Sequence, residues 1–409
     1  MTTSLLETEA PPVRRTPVIA SEAEALAAAR RLAAAWAPGA VERDRLRRLP
    51  WQEIEDYSAS GLWAITVPRE HGGLGASAWT LAQVIATVSA ADGSLGQIPQ
   101  NHFYALEALR VGGTASQQRF FYGRVLAGER LGNALAEIGH RDNLRRTRLE
   151  KPHGRWRLNG RKFYCTGALF AHWIPTQAMR VEGQGEPVST LVFVPRDAPG
   201  VSVIDDWDGM GQRVTGSGSV QFDDVDIDPE WIVPFQQSFE RPTPIGPLAQ
   251  IMHAAIDLGI GEGALAAALP FLREKARPWI DSGVEHAFDD PLTLHALGNV
   301  DVRLHAARAL VRRAGGFVDA AQREPTEAGV AAASIAVAQA RAASHAAGLL
   351  AANKLLELCG TAATAAPLGF DTYWRNVRTH TLHDPVRWKY HAIGNYALNG
   401  ALPPRLGTL

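Results

Sequence analysis

The sequence predicts an α+β protein of three consecutive blocks: an N-terminal helical domain, a middle antiparallel β domain and a C-terminal four-helix bundle. Three observations predict it. Residues 20–131 carry helical patterning, residues 132–240 break into short alternating or apolar runs punctuated by Gly, Asp and Pro, and residues 241–409 return to long Ala/Leu-rich stretches. Strands gathered in one block, instead of alternating with helices, do not fit a parallel α/β sheet.

Residues 1–19 read as a flexible leader, because Pro11, Pro12 and Pro17 interrupt any helix. Ser21 opens the first helix with Glu24 three residues later, a capping-box pattern, and Ala and Leu fill the run from Glu22 to Trp36. Pro50 suits the first turn of a second helix over 51–60. The segment 62–77 is a loop around Gly72, Gly73 and Gly75. This glycine run lacks the G-x-G-x-x-G spacing and no βαβ unit surrounds it, so a tight turn is expected there, not a nucleotide loop. Helical patterning returns over 79–90, 103–110 and 116–126. In the β block the runs WRLNGRKFYCTG, STLVFVP, GVSVIDDW and GSVQFDDVDI read as strands, with Asn159-Gly160 expected to be a hairpin turn. Residues 248–275, 292–322 and 327–359 read as long helices with short connections, the pattern of a bundle. From Asp371 onward the chain is rich in Trp, His, Arg and Asn instead, and this tail is a candidate for active-site residues.

Composition narrows the function. The chain has 409 residues, 46% hydrophobic and 20% charged, enough for a sizeable core in two or three domains of ~150 residues. Its 41 Lys+Arg balance 42 Asp+Glu, so no broad basic field invites nucleic acid. Cys165 and Cys359 are far apart and neither sits in a C-x-x-C, which argues against a disulfide framework or a cysteine zinc site and fits a reducing cytoplasm. No signal-peptide core is visible, and no run approaches ~20 apolar residues, so no membrane association is expected.

Few residues attract chemistry by spacing alone. His380 and His383 share a face if their segment is helical, but two histidines and Asp384 leave a metal site incomplete, and no metal is expected. Pro385 ends that helix near Asp384, leaving His383 beside a carboxylate at an element end. An imidazole there can shuttle protons near neutral pH, or can simply be bonded into a helix-to-loop junction. Asn133 and Thr166 can offer hydrogen bonds to a heteroaromatic ring. Arg277 can meet a phosphate as a fixed fork, or a surface carboxylate. His102 alone reads as a packed histidine, and Trp207 as a core or rim residue of the β block. Patterning thus reaches a helical–β–helical protein with a ring-shaped ligand.

Several segments, in order, resemble the acyl-CoA dehydrogenase superfamily over nearly the whole chain. VPREHGGLGAS (67–77) resembles its N-terminal glycine loop, GNALAE (132–137) the start of its β domain, LNGRKFYCTGA (158–168) its flavin-facing segment, and the stretch 200–233 the approach to its F-x-x-V-x-(V/I)-P motif. SLGQIPQNHF (94–103), KFYCTGALFAHW (162–173), DDWDGMGQR (205–213), REKARPWIDSGVEHA (273–287) and the stretch 374–400 are similar to a flavin-dependent monooxygenase branch. That branch contains the dibenzothiophene monooxygenases and the sulfur-acquisition, dimethyl-sulfone-utilisation oxidoreductases. Where many dehydrogenases carry their glutamate base, this sequence has His383-Asp384-Pro385. The family's usual E-P-x-A-G-S-D run appears as Glu137-Ile138-Gly139-His140-Arg141-Asp142.

The resemblance implies a two-component monooxygenase. Reduced FMN would come from a separate NAD(P)H:flavin reductase, and O2 would oxygenate a small organosulfur compound through a flavin C4a-(hydro)peroxide. It implies His383 as proton donor with His102 as a second catalytic group. It also implies Asn133, Tyr164, Thr166 and Ser217 at the flavin, and Trp207 and His380 walling the substrate pocket. Arg277 would reach the flavin phosphate from a neighbouring subunit of a homotetramer. Two other readings stay open: an FAD-dependent acyl-CoA dehydrogenase, and a non-catalytic protein that keeps the fold without the flavin.

Overall fold

The computed structural model describes residues 16–139, 145–183 and 185–409. Residues 1–15 of the expected leader lie outside these, as do His140, Arg141 and Asp142. The end of the leader is not loose: Thr16 donates its hydroxyl to the Leu126 carbonyl at 2.6 Å, and Ile19 is buried.

The N-terminal block is helical, as patterned: α1 (Glu22–Trp36), α2 (Ala40–Leu46), α3 (Trp51–Ala59), α4 (Ala78–Ala91), α5 (Gly93–Gln97), α6 (Gln100–Gly112) and α7 (Ala115–Leu126). The Ser21 hydroxyl accepts from the Glu24 backbone N–H at 3.2 Å, and the Glu24 carboxylate returns to the Ala20 N–H at 2.8 Å, so the cap satisfies two donors at the start of α1. The glycine run is a tight turn. Gly75 donates to the Val67 carbonyl at 2.9 Å, and a Cβ on Gly73 would stand 2.2 Å from that same oxygen.

The middle block holds one seven-stranded sheet: β1 (Arg148–Glu150), β2 (Trp156–Lys162), β3 (Trp173–Arg180), β4 (Val188–Pro195), β5 (Val201–Ile204), β6 (Ser219–Ile227) and β7 (Ile232–Pro234), in spatial order β5-β6-β2-β1-β3-β4-β7. Among the described strands the pairings are antiparallel except that β1 runs parallel to β3, a departure from the expected antiparallel domain, and the segment around Leu131 and Ala134 also bridges β3 in parallel. Asn159-Gly160 is not a hairpin turn. It lies inside β2, where pairing with β6 slips between Leu158 and Gly160. The Asn159 side chain accepts from the Asp224 N–H at 2.8 Å, and Gly160 permits the close approach of Thr147, which a Cβ would meet at 2.6 Å. The same residue pair therefore serves a β-bulge, where the extended strand demands a kink instead of a reversal.

The C-terminal block begins after the short α8 (Gln237–Glu240). It consists of α9 (Ile245–Glu274), α10 (Pro291–Arg323), α11 (Glu327–Cys359), α12 (Asp371–His380) and α13 (Val386–Asn399). The long α9, α10 and α11 pack on one another and α13 packs on α11, while α4 crosses over α9 from the N-terminal block. Glycines permit these crossings: a Cβ on Gly259 would stand 2.3 Å from the Ala86 carbonyl, and one on Gly263 2.3 Å from that of Ala90. Among the described residues α9 alone is long and apolar enough to cross a membrane, contrary to the sequence expectation. Here it is the central helix of the core, enclosed by α4 and α11, and such burial explains its apolar surface on all sides.

Candidate active site

A cavity of about 770 Å³ opens where the three blocks meet. Its β wall comes from the strand-like segment 131–137, the loop after β2 and the segment 212–217. Its helical wall comes from α9, α12 and the turn after α12. α5 and α6 close one side, and Leu406-Gly407-Thr408 close another.

The β wall is a hydrogen-bonded ladder. The Asn133 amide donates to the Tyr164 carbonyl at 3.0 Å. The hydroxyls of Thr166 and Ser217 lie 2.7 Å apart, and those of Ser217 and Thr215 2.6 Å. Thr215 donates to the Gln212 carbonyl at 2.9 Å, so Ser217 must donate to Thr215 and Thr166 to Ser217. The ladder has one direction, and it leaves Thr166 facing the cavity as an acceptor. Tyr164, held at φ +56, sets its ring 6.0 Å from that of Trp207, whose indole N–H is fixed on the Gln212 carbonyl at 2.8 Å. Behind this wall Glu137 and Lys162 form a buried ion pair at 2.7 Å. Burial opposes charge on both, pushing Lys162 down to about 8. Burial would also raise Glu137, but Lys162 and the Arg146 and Thr147 N–H groups overcome it and bring that carboxyl to about 2.

The helical wall is a chain of histidines. α12 ends at His380, so His383 lies in the following turn and not on the same helical face as the sequence spacing suggested. Its ring nevertheless lies 6.4 Å from that of His380, because His253 on α9 sits between them, with its centroid 4.2 Å from His383 and 5.1 Å from His380. His383 approaches the Asp384 carboxylate at 3.4 Å. Asp384 also accepts from the Gln250 amide at 2.9 Å. Burial would raise its pKa, but His383, Lys389 and Gln250 outweigh that and hold it far below the usual carboxylate range.

Seven predicted site residues thus converge on one cavity: Asn133, Tyr164, Thr166, Ser217, Trp207, His380 and His383. Two do not. His102 is fully buried, outside the cavity. Its Nδ1 accepts from the Leu131 N–H at 3.0 Å, which makes Nε2 the protonated nitrogen donating to the Trp63 carbonyl at 2.8 Å. Burial depresses its pKa to about 3, so it is a structural link and the expectation of a catalytic role is corrected. The reason is helical phase. Gln97, Gln100, Asn101 and Tyr104 line the cavity at spacings of three, four and seven residues, whereas His102 faces Trp63. That periodic polar face was a readable signal. Arg277 is exposed beyond the far end of α9, roughly 30 Å along the helix from His253. It cannot reach the cavity of its own chain.

Asn133 Oδ1, Gln97 Oε1, Gln100 Oε1, Gln212 Oε1 and Thr379 Oγ1 are buried in the lining without a protein partner. An unmet buried acceptor costs ~1–3 kcal/mol, and a ring that offers N–H donors, as the N3 and N5 positions of a reduced flavin do, is the kind of group that suits such a wall. Among the described residues His253, His383 and Asp384 bring possible metal-binding atoms within 4.8 Å of one another. The Asp384 carboxylate is already committed to the Gln250 amide and to His383, and no metal is assigned.

Known proteins share this three-block fold. Family models match in chain order: acyl-CoA dehydrogenase, N-terminal domain over residues 20–129, middle domain over 134–225 and C-terminal domain over 251–388. A dibenzothiophene monooxygenase of Rhodococcus erythropolis is 33% identical over 404 residues, covering 94% of this chain and 95% of its own. The probable FMNH2-dependent monooxygenase SfnC of Pseudomonas putida is 32% identical, covering 95% and 98%. The crystal structure of FMN-bound TdsC from Paenibacillus sp. A11-2 superposes with a TM-score of 0.90 at 31% identity, covering 94% of this chain and 100% of that one. With all three domains matched and relatives a third identical along nearly their full length, the chain belongs to the acyl-CoA dehydrogenase superfamily, in its flavin-dependent monooxygenase branch.

Proposed function

We propose that this protein is the oxygenase of a two-component flavin-dependent monooxygenase. It takes reduced FMN from a separate NAD(P)H:flavin reductase in the cytoplasm and oxygenates a small organosulfur compound. One atom of O2 goes to the sulfur compound and the other leaves as water, with two electrons and two hydrogens drawn from the reduced FMN. When bound, FMN supplies the activation of oxygen. Asn133, Tyr164, Thr166 and Ser217 would hold its ring, and the acceptor-facing Thr166 suits the donor-rich edge of the reduced form. Arg277 of a neighbouring copy in a homotetramer would meet its phosphate. The exposed Trp279 and Ile280 beside Arg277 suit such a contact. Trp207 and His380 wall the substrate side, and Phe235, Phe239 and Leu406 give it apolar surface that disfavours water beside the reacting atoms. His383, beside Asp384, holds and delivers the proton.

The observation that carries this reading is the make-up of the helical wall. Its carboxylate among the described lining residues, Asp384, is held so strongly ionised that it is a poor base for removing a proton from a thioester, while the His383 imidazole stands beside it on the cavity and suits the role of proton donor. The test is an anaerobic titration with reduced FMN and reduced FAD, followed by a pulse of 18O2 with candidate sulfur compounds and mass spectrometry of the product. Tight binding of reduced FMN and one labelled oxygen in the product are expected. Reduction of bound flavin by an acyl-CoA, with no oxygenated product, overturns the reading.

A further inference from the structure

The cavity's helical wall contains a residue that sequence patterning did not single out. His253 lies on α9, 2% exposed, between His380 and His383. Its Nδ1 is 3.0 Å from His380 Nε2, and His380 Nδ1 is 2.5 Å from an Asp257 carboxylate oxygen. Asp257, fully buried one turn along α9 from His253, is itself paired with the buried Arg341 of α11. This order dictates proton positions. A carboxylate only accepts, so His380 donates from Nδ1. Asp257 already has Arg341 as its counter-charge, so it does not require His380 to be cationic as well. A neutral His380 then accepts at Nε2, His253 donates from Nδ1, and His253 Nε2 is left without a proton. Among the described residues that nitrogen has no hydrogen-bond partner, and His253 lines the cavity.

We propose that Asp257, His380 and His253 form a positioning relay that fixes His253 as a neutral acceptor, with its bare Nε2 turned to the cavity beside His383 to orient an N–H or O–H donor of the bound ligand. The relay acts as the second half of a hydrogen-bonded histidine pair does in other sites: the far nitrogen is anchored so that the near one has a fixed character. It deepens the oxygenase reading by giving the two cavity histidines different jobs, with His253 receiving a hydrogen bond and His383 carrying the proton. The groups around His253 keep it neutral. Asp257 stands on its own helix, Arg341 on α11, His380 on α12, His383 and Asp384 in the following turn, and Lys389 on α13. Burial first, and then the adjacent His383, His380, Arg341 and Lys389, lower the His253 pKa well below the ordinary histidine value. Burial likewise lowers that of His380, against the pull of Asp257.

The experiment uses the full chain without flavin, labelled with 15N-histidine, with the His253 signals identified through His253→Asn. A protonated Nδ1 and an unprotonated Nε2 that persist from pH 8 down to pH 5 are expected. A protonated Nε2, or a His253 titration midpoint above pH 5, overturns the relay. This readout is independent of catalysis, so it can fail while the oxygenase reading stands, and the reverse. The second arm compares two substitutions in the oxygenation assay. His253→Asn keeps a donor where Nδ1 bonds His380 but removes the cavity-facing nitrogen; His253→Gln places an amide near Nε2. At least tenfold loss of product formation in His253→Asn, with His253→Gln within threefold of the wild type, is expected. Equal effects of the two substitutions, large or absent, overturn the assignment.

Discussion

Replacing Lys162 with Met tests how the β wall of the cavity is held. The Lys162 ammonium is fully buried, 2.7 Å from Glu137 and 3.4 Å from the Leu135 carbonyl. Removing one partner of a buried ion pair leaves an uncompensated charge and costs ~3–5 kcal/mol. Glu137 keeps three other hydrogen bonds, from the N–H groups of Arg146 and Thr147 and from the Thr147 hydroxyl, which places the expected loss at the low end, about 3 kcal/mol. That is about a hundredfold in the unfolding equilibrium. The pH dependence has a definite sign. The folded carboxyl sits at about 2 against its usual 4.5, so the stability it contributes is present above pH 4.5 and is lost as pH falls through 2. The gap between wild type and Lys162→Met should therefore be widest near neutrality and shrink below pH 4.5. Urea denaturation followed by tryptophan fluorescence, at several pH values, measures it. The pair also ties the segment carrying Asn133 to the loop carrying Tyr164 and Thr166, so affinity for reduced FMN should fall as well. A loss under 1 kcal/mol at neutral pH, or a Glu137→Gln/Lys162→Met double variant no more stable than Lys162→Met, would refute the reasoning.

Four further outcomes are expected. His102→Leu should lower stability by ~1–3 kcal/mol for each backbone group it strands, at Leu131 and Trp63, without moving the pH profile of product formation; a moved profile would return His102 to the chemistry. His383→Ala should depress oxygenation while sparing the dissociation constant of reduced FMN, measured by anaerobic fluorescence titration. Arg277→Ala should raise that constant, and an unchanged value removes Arg277 from the site. Gly259→Ala should cost ~1–3 kcal/mol by forcing α4 away from α9, read as a lowered thermal midpoint.

The sequence by itself determined the three blocks, because hydrophobic periodicity and caps such as Ser21 with Glu24 act over a few residues and need no distant partner. It also determined most of the β wall, since Asn133, Tyr164, Thr166 and Ser217 lie in segments whose resemblance to a flavin site is local. The Asn159-Gly160 pair was locally ambiguous, and only the neighbouring Thr147 and β6 turned it into a bulge. His102 and the face formed by Gln97, Gln100, Asn101 and Tyr104 differ only in helical phase, and the packing of Trp63 and Leu131 decided which side met the cavity. Tertiary structure alone set His253 against His380 and Asp257 against Arg341, pairs separated by 127 and 84 residues. Whether an imidazole donates, accepts or carries charge depends on burial and on what its far nitrogen touches, and those partners arrive only when α9, α11 and α12 pack together.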